Sequence, residues 1–66
     1  MRVDRVSLIA EMARKNMTLA DLAERSGVNT YTISSVRRGK SCTQETAAKL
    51  AKGLGVPLET ILEKED

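Results

Sequence analysis

The 66-residue sequence predicts an all-α domain of five short helices, and three observations carry that reading. Apolar residues recur at the three- and four-residue spacing of a helix face, with no strictly alternating stretch that would mark a strand. Side chains that start helices stand at Thr18, Asn29 and Thr43, each just ahead of such a stretch. Glycines at Gly27, Gly39 and Gly55 then stop the segments that those residues open.

The elements follow in order. Val6, Ile9, Ala10 and Ala13 recur at helical spacing, with Leu8 and Met12 widening the stripe, so the first helix is expected over residues of about 3 to 15. Asn16 ends it, because Asn tolerates the left-handed conformation that follows a helix. Thr18 caps a second helix with Asp21 near the positive end of its dipole and Leu19, Leu22 and Ala23 facing inward. Asn29 caps a third that runs to about Arg38. Thr43 caps a fourth, in which Ala47, Leu50, Ala51 and Leu54 share a face, and Pro57 begins a short fifth that buries Leu58, Ile61 and Leu62. Residues 1–66 thus form one domain without repeats or linkers, ending in a short acidic tail over residues 63–66.

Length and composition narrow the function. A chain this short buries only roughly 60% of its unfolded surface, which leaves little interior for a substrate pocket and disfavours catalysis. There is no His, the carboxylates read as solvated helix residues, and no spacing suits a metal, so neither catalytic residues nor cofactors are expected. Apolar content of 41% with 30% charged residues is that of a soluble domain, and no apolar run nears the ~20 residues of a membrane span. The lone Cys42 cannot build a disulfide framework and reads as a small, half-buried residue. A reducing cytoplasm is the expected setting.

Charge is placed unevenly. Net charge is only +2, yet Arg25, Arg37, Arg38 and Lys40 lie in a stretch from residue 25 to 44 that holds no acid. The rest of the chain has seven basic and nine acidic residues. That asymmetry points to a polyanion partner. A solvated helix end that complements the macrodipole would also carry such residues.

The segment from about residue 18 to 38 gives the charge a geometry. Leu22 and Ala23, then Gly27 and Val28, then Ile33 and Val36 are what two helices need to cross steeply through a tight turn. At about 100° per residue, the mean direction of Ile33 and Val36 lies nearly opposite Tyr31, with Ser34, Ser35 and Arg38 on the outward side. Tyr31 is the only aromatic residue, and a small core would ordinarily keep such a ring. It either projects outward or folds back as a lid over the second or fourth helix. Hydroxyls on Thr30, Tyr31, Ser34 and Ser35 suit base edges in a DNA major groove, while Thr18, Asn29, Arg38 and Lys40 suit backbone phosphates. Double-stranded DNA is the expected partner.

The stretch MTLADLAERSGVNTYTISSVRRGKSCTQETAAKLAKGLGV resembles the helix-turn-helix domain of the lambda repressor and Cro type, also called the Xre type. The resemblance rests on the successive blocks LAERSGV, TIS, RGK and LAKGLGV and spans residues of about 6 to 62. It implies a five-helix fold, dimeric binding to a partly palindromic operator, and transcriptional regulation, chiefly repression, in a bacterium or phage. Carried over by position, it implies base contacts at Thr30, Tyr31 and Ser35 and phosphate contacts near Asn29, Arg38 and Lys40, with Leu58, Ile61 and Leu62 as a dimer surface. Relatives of this type also include antitoxins, so a module whose main partner is another protein stands as the alternative.

The sequence departs from the family pattern in two ways. Leu19 stands where a phosphate-bonding Gln usually opens the second helix. Arg37 and Met12 occupy the places of a Glu and an Arg that usually pair. Arg37 therefore either meets an acid such as Glu11 or reaches a phosphate.

Overall fold

The computed structural model describes residues 2–63, and five helices follow one another along it: α1 (Arg5–Arg14), α2 (Leu19–Ser26), α3 (Thr30–Arg37), α4 (Gln44–Leu54) and α5 (Leu58–Ile61). Residues 64–66 of the expected acidic tail lie outside the described residues.

The local punctuation works as its chemistry demands. The Thr18 hydroxyl accepts from the Asp21 amide at 3.1 Å while the Asp21 carboxylate accepts from the Thr18 amide at 3.0 Å, a reciprocal cap on α2. Asn29 Oδ1 accepts from the Thr32 amide at 2.8 Å, and Thr43 Oγ1 accepts from the Thr46 amide at 3.1 Å. These bonds satisfy amides that have no acceptor within their own helix. Gly27 stops α2 at φ +76°, where a side chain would be strained whatever space surrounds it. Asn16 takes φ +53° behind α1, as its tolerance of that region predicts.

α2 packs chiefly on α4, and the fully buried side chains Leu8, Leu22, Ile33, Leu50, Leu54 and Ile61 come from all five helices. Each is worth roughly 1.5–3 kcal/mol of removal from water. Gly53 of α4 lies hard against Ser26 of α2, where a β-carbon would lie only 2.8 Å from Ser26 Cβ and 3.0 Å from the Ser26 backbone.

α1 differs from expectation in its bounds and in its buried face. Val3 is not helical; it forms an isolated antiparallel bridge with Leu62, and Asp4 caps the helix by accepting from the Val6 amide at 3.2 Å and the Ser7 hydroxyl at 2.8 Å. The inward residues are Leu8, Glu11 and Met12, whereas Val6 and Ile9 are 67% and 41% exposed and Ala10 and Ala13 are exposed too. Two sets of residues on this helix share helical spacing, and the set that packs was decided by where α3 and α5 meet it.

Candidate nucleic-acid interface

α3 is held by its two innermost side chains. Ile33 is wholly buried and Val36 is 1% exposed, which turns the opposite side of a two-turn helix to solvent. Tyr31 stands there 77% exposed, with Thr30 exposed beside it and Ser34 and Ser35 half-buried at the flanks. The ring is no lid. None of the four hydroxyl-bearing residues is sealed beneath a neighbour.

The residues expected at the DNA backbone surround this face. Asn29, just before α3, uses its carbonyl oxygen as a cap and keeps its side-chain NH₂ free to donate. Arg38 and Lys40 are exposed where α3 ends, in a turn set by Gly39 at φ +100°. The Gly39 amide donates to Val36 O at 2.9 Å and the Lys40 amide to Ser35 O at 3.2 Å, so the turn folds back on the last helical carbonyls. Thr18 is exposed at the start of α2. Its hydroxyl oxygen accepts from the Asp21 amide within the cap. The Asp21 carboxyl sits below its ordinary pKa because the Thr18 amide, and then the Thr18 hydroxyl, bond its charged form.

Arg37 resolves differently from its neighbours. It is half-buried along a cleft of about 270 Å³ lined by Ile9, Met12, Ala13, Met17, Thr18 and Leu19, and its Nε is buried without a partner. Among the described residues no ion pair joins it to an acid. Glu11, the acid named for it, pairs instead with Arg14 at 3.5 Å and keeps its other oxygen buried and unpartnered. Ile9 and Ala13 flank the Met12 edge of the buried stripe of α1, and Glu11 forms its other edge.

Ile61 corrects the expected dimer surface. It is wholly buried in the core and offers nothing to a second chain, while Leu58 and Leu62 remain half-buried at the surface. Burial also raises the Cys42 thiol pKa, and its side chain is half-buried as expected.

One basic residue at this edge carries no local signal in the sequence. Arg2 lies 37 positions from Gly39, and its Nη2 donates to the Gly39 carbonyl at 3.0 Å. Only the pairing of the chain ends brings it there.

Comparison with known proteins is consistent with this surface. Residues 7–66 match the family model for the Cro/C1-type HTH DNA-binding domain. The wild-type restriction-modification controller protein C.Esp1396I superposes with a TM-score of 0.72 at 30% identity, over 82% of this chain and 74% of that one. A point mutant of the same controller protein, in a trigonal crystal form, gives a TM-score of 0.73 at 29% identity over 83% and 77%. No curated protein matches the sequence.

Proposed function

The chain belongs to the family of Cro/C1-type helix-turn-helix DNA-binding domains, and on that footing we propose that it is a sequence-specific repressor that inserts α3 into the major groove as a homodimer. The observation that carries this reading is the 77% exposure of Tyr31 directly across α3 from the buried Ile33 and Val36. A major groove about 12 Å wide admits a helix so presented. Thr30, Tyr31, Ser34 and Ser35 then meet base edges, the tyrosine ring or a threonine methyl touching a thymine methyl.

Thr18, Asn29, Arg37, Arg38 and Lys40 meet the sugar-phosphate backbone in this reading. Arg37 supports it by lining the cleft beside Thr18 and Leu19, where its guanidinium can serve as the backbone anchor that Leu19 does not provide. Phosphate contacts give affinity and register, and the hydroxyl face gives sequence choice. Leu58 and Leu62 are the residues of the expected dimer surface that remain accessible. In this reading the target lies near the chain's own gene, in the cytoplasm with the nucleoid, and likeness to a restriction-modification controller protein fits a regulatory role.

Fluorescence anisotropy on DNA flanking that gene tests the proposal. Three cationic contacts per protomer give a slope of log K against log salt of roughly −5 for a dimer. No binding at low salt would remove the idea. A second reading, an antitoxin or adaptor whose main partner is a protein, is favoured by the outward Val6 and Ile9 of α1. Co-purification of a partner that survives nuclease treatment would select it.

A further inference from the structure

The geometry points to Arg2 as a positioning residue for the phosphate-facing turn between α3 and α4: held by the paired chain ends, its guanidinium grips the Gly39 carbonyl and sets where Lys40 points. The inference rests on the reading of Lys40 as a phosphate contact.

The backbone around Arg2 is fastened on both sides. Glu63 N donates to Arg2 O at 3.1 Å, Asp4 N donates to Ile61 O at 2.7 Å, and between them Val3 bridges Leu62 with its side chain 4% exposed in the core. A residue so placed has a fixed Cα and a free side chain. That side chain is 63% exposed, yet it has two partners: Nη2 donates to Gly39 O at 3.0 Å and Nε lies 3.5 Å from Glu63 Oε2. Glu63 thus steadies the arginine from the C-terminal side.

The turn needs such a hold. Its amides are tied to α3 by the Gly39 and Lys40 bonds to Val36 and Ser35, but a β-carbon built on Gly39 would touch nothing within 4 Å. With open space beside Gly39, hydrogen bonds carry much of the turn's hold. Arg2 supplies the one to the Gly39 carbonyl, and Lys40 is the next residue. Exposed charge-assisted bonds add little to global stability. Their effect here is local, on an exposed turn of few contacts.

The test compares wild type with R2A, R2K, K40A and R2A/K40A. Amide hydrogen exchange at Gly39 and Lys40, whose amides are bonded to α3, is read in the free protein, and DNA affinity is read by anisotropy at several salt concentrations. R2A should speed exchange in the turn about fivefold or more and leave the melting temperature nearly unchanged. It should weaken DNA binding by about three- to tenfold, with most of the loss restored in R2K, and cost less than about twofold in the K40A background. Additive losses, each flattening the salt slope by about 1.8 in a dimer at about 0.9 per lost contact, would show that Arg2 grips phosphate itself and would overturn the positioning role. Unchanged exchange in R2A would overturn it as well. K40A binding like wild type would overturn the reading of Lys40 and the proposal above it. Faster exchange in R2A with intact binding, where K40A does weaken binding, would overturn the proposal alone.

Discussion

Replacing Gly53 by Ala adds one methyl group where α4 lies hard against α2. The new β-carbon would stand 2.8 Å from Ser26 Cβ and 3.0 Å from the Ser26 Cα and N, against an optimum of about 3.5–4.0 Å for carbon atoms. Two of those three atoms are backbone, so no rotamer change relieves them and α2 must move away from α4. Over-packing of this kind costs about 1–3 kcal/mol. Alanine in a helix interior returns about 0.5–1 kcal/mol relative to glycine, which leaves a net loss centred at about 1 kcal/mol and no greater than about 2.5 kcal/mol. With an unfolding entropy of about 0.14 kcal/mol/K for a chain of this length, the melting temperature should fall by about 7 °C, and by no more than about 18 °C. Thermal melts followed by circular dichroism measure it. Adding S26G to G53A removes the nearest atom and should recover part of the loss, a favourable coupling in a double-mutant cycle. A melting temperature for G53A equal to or above wild type would refute the argument, because propensity would then have outweighed the contact.

Tyr31→Ala should leave the melting temperature within about 4 °C of wild type, since an exposed ring contributes little to stability. It should change which sequences are enriched from a random DNA pool; a large fall in stability with unchanged enrichment would return the ring to the core. Arg38→Ala and Lys40→Ala should each weaken binding to all sequences alike and flatten the salt slope by about 0.9 per lost contact, and an unchanged slope would take that residue off the interface. Asp21 has a folded pKa below its unfolded one, so its stabilisation is complete above the unfolded value and disappears as pH falls through the folded value. Asp21→Asn should therefore melt below wild type near pH 7, and the gap should close by about pH 2. A gap that stays constant with pH would separate the cap from the charge.

The helix-turn-helix was legible because its determinants are local. Thr18, Asn29 and Thr43 cap within three residues of themselves, Gly27 and Gly55 stop helices through their own φ, and Ile33 with Val36 fixes the roll of α3. The roll placed Tyr31 outward without reference to any other helix. On α3 only one apolar pair competes for the interior, so periodicity had one solution.

α1 offered two solutions and no local means of choosing between them. Val6, Ile9, Ala10 and Ala13 form one helical stripe; Leu8 and Met12 form another, and the charged Glu11 sits inside the stripe that packs. A buried carboxylate hides the correct face from any count of apolar residues. The choice depends on α3 and α5, which are 16 or more residues away along the chain. Distance along the chain concealed the edge of the candidate interface in the same way. Arg2 reads as one more cation near a terminus until Val3 pairs with Leu62, and only that long-range bridge brings it against Gly39. The hydroxyl face was therefore readable from its own helix, whereas the hold on the turn beside it depends on how the two ends of the chain meet.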